Sequence, residues 1–301
     1  MYVRIYYVYA KVIVVAIILD GKKLSLQIAE KLKKEIKRRG KAPTLAIVQM
    51  GDIAESSAYI RHKKAFADRI GAKIFHLELS KDTSEKNLLK DIRVLNKSKR
   101  FDGIIVQIPL PKHINKRNAM EAINPKKDVD GMHSQNQAKV FQGDLSGLIP
   151  ATPKGVMSLL RKYKIPLQGR RALVVGRSLL VGRPMAMLLL KANATVSIAH
   201  RKTRNLSKLS REHDIVVVAT GVAGLIGKDA VKQGQVIVDV GTNAVKGPKT
   251  LEEGVKRRLV GDVKFAEVSK IVSAISPVPG GVGPMTVASL FENLLQAQRQ
   301  K

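Results

Sequence analysis

Short apolar runs alternate along this chain with segments whose apolar residues recur every three or four positions. In the first half the runs Thr44 to Val48, Lys73 to Leu77 and Gly103 to Ile108 predict strands, bounded as they are by turn residues. Between them, Leu24 to Lys37, Ser56 to Ile70 and Ser84 to Asn96 carry the helical period. Further strands are predicted at Arg171 to Val175, Thr195 to Ala199, Ile215 to Ala219, Val236 to Val240 and near Ile271 to Ile275. Strands alternating with helices in this way predict an α/β fold, with a nucleotide-binding sheet in the second half. A turn-rich stretch from Asp144 to Pro153 marks a domain boundary. Val287, Leu290, Phe291, Leu294 and Leu295 then repeat at helical spacing, predicting a last helix that packs back on the first half.

Both apolar ends of the pattern fall short of a membrane span. Met1 to Leu19 is mostly apolar and tyrosine-rich, but its longest uninterrupted run, Val12 to Leu19, is eight residues, and a spanning helix needs about 20. No small-residue cleavage site precedes Asp20, so the segment reads as a strand preceded by an extension or a misassigned start, with a signal peptide as the alternative. Ile271 to Phe291 is uncharged for 21 residues, yet its centre is dense in proline and glycine.

Composition narrows the function classes. With 301 residues the chain can form one large domain or two ordinary ones. It has no cysteine, which excludes disulfides, thiolate metal sites and a cysteine nucleophile, and which agrees with a cytoplasmic location. The net charge of +30 admits either a general bias toward lysine and arginine or a polyanionic partner. The basic residues are spread along the chain, aromatics are only 4% and tryptophan is absent, so a specific nucleic-acid role is not expected.

Against that background the uncharged segment Ser276 to Thr286 stands out, with three prolines and three glycines between Pro277 and Pro284. It reads either as a wall pressed against a flat partner or as a tight buried turn between a strand and a helix. The turn Gly176-Arg-Ser-Leu-Leu-Val-Gly-Arg-Pro184 sits between a strand and a helix, where a dinucleotide phosphate binds, although it lacks the G-x-G-x-x-G spacing. The next strand ends in His200-Arg201-Lys202, where NAD enzymes place an acidic ribose ligand. Basic residues there, with Arg177 nearby, favour NADP.

Tyr59 and Lys63 lie one helical turn apart on a helix that Ser56 or Ser57 can cap. Such a pair is usually a surface feature, but a lysine whose ammonium is desolvated becomes a proton-transfer group. Short-chain dehydrogenases share the spacing, yet there the nucleotide turn comes first, whereas here it follows by more than a hundred residues. Gln107 ends a buried-type strand, at the edge where α/β sheets place ligands. Lys127-Asp-Val-Asp130-Gly131 supplies two carboxylates before a turn glycine, too few oxygen ligands for a metal, and no metal is expected.

In order along the chain stand Tyr59-x-x-x-Lys63, Gly103-Ile-Ile-Val-Gln107-x-Pro-Leu-Pro111, Lys127-Asp-Val-Asp-Gly131, Thr152-Pro-Lys-Gly155, Gly176-Arg-Ser-x-x-Val-Gly-Arg-Pro184, Asp239-Val-Gly241 and Pro277-Val-Pro-Gly-Gly-Val-Gly-Pro-Met-Thr286. Together they resemble the bifunctional methylenetetrahydrofolate dehydrogenase/methenyltetrahydrofolate cyclohydrolase family, from about Ile17 to Ala297. The resemblance implies two α/β domains flanking a cleft, the second a Rossmann-type parallel sheet. It implies oxidation of 5,10-methylenetetrahydrofolate with NADP, then hydration to 10-formyltetrahydrofolate, in one-carbon metabolism and purine biosynthesis. A cytoplasmic homodimer is implied as well.

By position, the resemblance puts Tyr59 against the aminobenzoyl ring, makes Lys63 the central hydration residue, lets Gln107 tune it and has Asp130 anchor the pterin. Val106, Ile108, Pro279, Gly280 and Gly281 complete the folate side, while Gly176, Arg177, Ser178 and Arg201 hold the cofactor phosphates, with Thr242 near the nicotinamide. The expected domains are residues 17–150 for folate, joined by the helix 285–301, and 151–284 for NADP, after an extension over 1–16. Glu55, Ala138 and Thr242 depart from the family pattern, and Thr242 bears on cofactor preference.

Overall fold

The computed structural model describes residues 16–300 apart from residue 53 and residues 251–253, so the N-terminal extension lies outside the described residues. The first half runs β1 (Ile17–Ile18), α1 (Gly21–Arg39), β2 (Thr44–Met50), α2 (Ala54–Ile70), β3 (Lys73–Leu79), α3 (Glu85–Lys97), β4 (Gly103–Val106), α4 (Lys116–Glu121) and α5 (Ser134–Phe141). The second runs α6 (Ala151–Lys162), β5 (Arg171–Val175), α7 (Gly182–Lys191), β6 (Thr195–Ala199), α8 (Leu206–Arg211), β7 (Ile215–Val218) and β8 (Val236–Asp239). It continues with β9 (Asn243–Thr250), β10 (Gly254–Val260), α9 (Phe265–Val268), β11 (Ala274–Ile275) and α10 (Val282–Arg299).

The predicted apolar runs form two parallel sheets. One has the order β3-β2-β4, and the other β1-β11-β8-β7-β5-β6. Every residue of β2 and β4 is buried, because helices cover both faces of a parallel sheet. In α1, Ser25, Ile28, Ala29, Leu32 and Ile36 form one buried stripe, with Asp20 accepting from the Lys23 N–H at its start.

The first strand departs from the expected division. Ile17–Ile18 pairs with Ala274–Ile275 at the edge of the second sheet, so a boundary at residue 17 detaches it from the sheet it belongs to. Two residues cannot carry that information, since the pairing is set by a partner more than 250 positions away. The antiparallel hairpin β9-β10 is also absent from the sequence reading, because lysines, arginines, glycines and a proline interrupt its apolar positions.

The last helix returns to the first half as expected, packing on α6, α1, α2 and β4. Phe291 stacks on Phe66 of α2 with ring centroids 5.2 Å apart. It starts at Val282, three residues before the expected start, because Pro284 is accommodated inside the first turn where no N–H is needed. The Thr152-Pro-Lys-Gly155 motif is part of this docking: Thr286 donates to the Thr152 hydroxyl (3.0 Å) and Lys154 donates to Asn293 Oδ1 (2.8 Å).

Candidate active site

The folate-side residues gather at the carboxyl edge of the first sheet. Gln107 follows β4 directly, its backbone N–H extending the ladder to the Val48 carbonyl (2.8 Å). Its side chain accepts from Lys63 Nζ at 2.7 Å and donates from Nε2 to the Ile108 carbonyl at 2.8 Å. The second bond fixes the amide orientation, so the oxygen must face the lysine. Ser56 lies within α2 rather than capping it, and its hydroxyl donates to the same Ile108 carbonyl (3.3 Å). Burial lowers Lys63 from the ordinary 10.5 to about 8, with nearby Asp130 opposing the shift. Such a drop corresponds to roughly 3 kcal/mol of preference for the neutral amine. Lys63 is therefore no surface residue, while Tyr59, one turn earlier on α2, keeps 38% of its surface exposed.

Each residue of the Lys127-Asp-Val-Asp130-Gly131 segment has a separate task. Ile104 bridges Asp128 in parallel, so the segment runs alongside β4. Lys127 Nζ donates to the carbonyls of Asn96 and Ser98 (2.7 Å each) at the end of α3. Asp128 accepts from the His133 N–H (2.8 Å) and Asn136 Nδ2 (2.9 Å), and burial raises its pKa to about 6. Of the two carboxylates, Asp130 is the one whose charge acts on Lys63; burial raises its pKa, against the pull of Lys63 and Lys116. Val106 packs its side chain into the core among β2, β4 and α3 and is 4% exposed. Ile108 is half-buried.

The second sheet orders its strands β6-β5-β7-β8, so the connections reverse direction between β5 and β7, and ligands bind outside the carboxyl ends at such a switch point. Gly176 ends β5 there with φ 135°, and a Cβ on it would lie 2.3 Å from the Ala219 carbonyl oxygen. A Cβ on Gly182 would lie 2.2 Å from the Gly176 oxygen, so the two glycines let β5, β7 and α7 converge on one cradle. Ser178 Oγ accepts from the Val181 and Gly182 N–H groups (3.1 and 3.3 Å), which leaves only its proton to offer an anion. Val175 is in register with Ala199, and Arg177 and Arg201 each lie two residues further on, both exposed. A glycine cradle with two guanidinium groups just past the ends of adjacent strands fits a dinucleotide carrying an extra phosphate.

The chain matches the family model described as tetrahydrofolate dehydrogenase/cyclohydrolase, catalytic domain, over residues 19–130, and the NAD(P)-binding domain of the same name over residues 150–301. The chain belongs to the tetrahydrofolate dehydrogenase/cyclohydrolase family. It is 48% identical to the bifunctional protein FolD of Methanospirillum hungatei, over 94% of this chain and 98% of that one. The crystal structure of the bifunctional FolD dehydrogenase/cyclohydrolase of Campylobacter jejuni aligns with a TM-score of 0.88 at 43% identity, over 94% of this chain and 99% of that one. The dehydrogenase-cyclohydrolase of Trypanosoma brucei, solved with NADP and an inhibitor, aligns with a TM-score of 0.89 at 34% identity, over 95% and 98% of the two chains.

Within this family fold, the uncharged Ser276 to Thr286 loop turns out to be anchored on three sides. Ser276 Oγ accepts from the Asp239 N–H (2.7 Å), the Gly281 N–H donates to the Pro277 carbonyl (2.8 Å), and the Gly280 carbonyl accepts from the Lys22 N–H (2.8 Å) at the start of α1. Pro279 is exposed, Gly280 half-buried and Gly281 buried. Thr242 is exposed just past β8. Asn293 of α10 was not singled out by sequence: it is fully buried and donates to both the Val129 and Ile149 carbonyls (2.9 and 2.8 Å), fastening the backbone next to Asp130. A lone Asn inside an apolar helical stripe is the only signal for it. Among the described residues no group of three or more His, Asp or Glu could hold a metal, and no helix is long and apolar enough to cross a membrane.

Proposed function

We propose that the protein oxidises 5,10-methylenetetrahydrofolate to the methenyl cation with NADP and then hydrates that cation to 10-formyltetrahydrofolate. The observation that carries this reading is the buried Lys63 bonded to an orientation-locked Gln107 and within the electrostatic reach of Asp130, in a chain whose second half carries a dinucleotide-type glycine cradle. NADP, when bound, supplies the hydride acceptor. Gly176, Gly182 and the start of α7 would receive its pyrophosphate, and Arg177 and Arg201 its 2′-phosphate.

For hydration, a water adds its oxygen to the electrophilic methenyl carbon and gives a proton to neutral Lys63. The carbinol then collapses: its hydroxyl proton passes to solvent as the C=O forms, and the carbon–N5 bond breaks with its electron pair going to N5. N5 takes the proton held on Lys63, which leaves the formyl group on N10 and Lys63 neutral again. Gln107 Oε1 occupies one Lys63 N–H and so turns the lone pair elsewhere, toward the substrate side. Asp130 would receive the pterin's N–H donors, and Tyr59 would stack on the aminobenzoyl ring. Oxidation requires alignment of two rings but no proton transfer, so Lys63 serves one reaction and not the other.

The folate domain would comprise residues 19–150 with α10, and the NADP domain residues 151–281 with β1. A cytoplasmic homodimer working in purine biosynthesis completes the reading. Support for the dimer comes from β3, an edge strand of mostly half-buried residues whose outer N–H and C=O groups have no strand partner among the described residues.

The test is a single spectrophotometric assay with methylenetetrahydrofolate and NADP, following NADPH formation and then decay of the methenyl absorbance. Absence of both signals with NADP and with NAD overturns the reading. The pH dependence is specific. Lys63 is lowered, so the acceptor form is lost as pH falls below about 8, and hydration should rise through about pH 8 to a plateau. Gln107→Glu would set a carboxylate against the ammonium, raise the Lys63 pKa and move this limb to higher pH; an unmoved limb contradicts the assignment.

A further inference from the structure

Two buried carboxylates lie between the cofactor edge and the Ser276 loop, and neither has a role in the chemistry above. Asp239 ends β8 and is 2% exposed; Asp262 follows β10 and is fully buried. Asp239 Oδ1 accepts from the N–H groups of Gly241 (2.9 Å) and Asp262 (3.0 Å), and Oδ2 accepts from the Val263 N–H (2.9 Å). Asp262 Oδ2 accepts from the Thr220 N–H (2.6 Å), the Thr220 hydroxyl (2.9 Å) and the Gly221 N–H (3.0 Å), while Oδ1 accepts from Asn243 Nδ2 (2.8 Å).

Burying a carboxylate costs several kcal/mol unless its oxygens are fully bonded. Here the charge that acts on Asp239 is that of Asp262, of like sign. A core that needed only stability would carry apolar residues at these positions. What the pair secures is therefore geometry. Thr220 and Gly221 form the loop after β7, at the switch point where the strands of the cofactor sheet part, and their N–H groups are spent on Asp262 rather than left for a ligand. The preceding residue, Ala219, is the one whose carbonyl lies against Gly176 of the phosphate cradle. At the other end, Asp239 is tied through its own backbone N–H to Ser276, the first residue of the proline-glycine loop.

We propose that Asp262 is a positioning residue for the dinucleotide: it holds the Thr220–Gly221 loop in the shape that receives NADP, and Asp239 links it to the Ser276 loop. This rests on the NADP reading given above. The carboxylate is needed because one oxygen must accept three donors from the loop while the other accepts Asn243. An amide in its place offers only one acceptor atom and turns an N–H₂ group against either Thr220 or Asn243.

Calorimetric titration of the folate-free protein with NADP tests this, alongside hydration of supplied methenyltetrahydrofolate, which uses no NADP. Asp262→Asn should raise the NADP dissociation constant by about tenfold or more, the loss expected for about 1.4 kcal/mol. Hydration should stay within about twofold of the native rate, as is usual for a site outside its proton path. NADP affinity within twofold of native overturns the proposal, as does a parallel loss of hydration, which would mark a general structural role. Should Asp262→Asn fail to fold, Thr220→Ala removes the hydroxyl that donates to Asp262 and accepts from the Val222 N–H (3.2 Å), leaves both backbone bonds to Asp262, and should still weaken NADP measurably; unchanged affinity overturns the proposal. Native protein that binds neither NADP nor NAD overturns the cofactor reading itself, and the proposal with it.

Discussion

Lys63→Met should reduce hydration of methenyltetrahydrofolate by at least about 100-fold, the lower end of what a positioned proton acceptor contributes. Oxidation of methylenetetrahydrofolate should continue at a comparable kcat/KM, so the variant should accumulate the methenyl compound. The reason lies in the separation of tasks at the site. Lys63 Nζ is buried, bonded to Gln107 at 2.7 Å and lowered to about 8, so near neutral pH it already offers an appreciable neutral fraction. An ordinary lysine at pH 8 is deprotonated in roughly one molecule in 300. Methionine keeps the length and the apolar stem but offers no basic lone pair. The folate KM should change little, since Asp130 and Tyr59 remain. Initial rates of NADPH formation and of methenyl decay in the same preparation provide the check. Full hydration by the variant removes Lys63 from the mechanism, and loss of both reactions in parallel makes it a binding or folding residue instead.

Gly281→Leu should damage both reactions together, each by on the order of 100-fold, the cost of displacing reacting groups by about 1 Å. A Cβ at Gly281 would lie 2.5 Å from the Pro277 carbonyl oxygen and 2.9 Å from Ser276 Cβ, so no rotamer change relieves the contact. The loop would open, breaking the Gly281 N–H bond to Pro277 and shifting Gly280, whose carbonyl holds the start of α1. The same loop reaches Asp239 through Ser276 and leads directly into α10, so folate-side and cofactor-side groups move with it. Steady-state kinetics of the two reactions, with thermal melting to confirm folding, provide the check. Sparing of either reaction in a folded variant would show that the loop serves one site only.

These contrasts follow from what could and could not be read along the chain. Apolar runs revealed the strands of both sheets because parallel strands covered by helices leave long uninterrupted apolar stretches. Tyr59, Lys63 and Gln107 could be singled out by place, one helical turn apart or at a strand end, whereas Asp130 was singled out by the family resemblance alone. The pattern alone could not separate Asp128 from Asp130: both precede the same turn glycine, and only the Asn136 and His133 bonds show that Asp128 is structural. Nor could it assign β1 to the second sheet, extend α10 back to Val282, or single out Asn293 and Asp262. In each case the decisive partner is remote in sequence, as with Asn293 and Val129, 164 positions apart. The loop between Ser276 and Thr286 is a tight anchored turn, tied to the end of β8 through Ser276 and to the start of α1 through Gly280.

Burial makes Lys63 a proton acceptor in the working pH range. Nitrogen-detected NMR titration of Lys63 Nζ, assigned by its loss in Lys63→Met, reads this out. The midpoint should lie near 8 in the free protein. A midpoint at the ordinary 10.5 would contradict it, because Lys63 would then be an ammonium at every pH where hydration occurs.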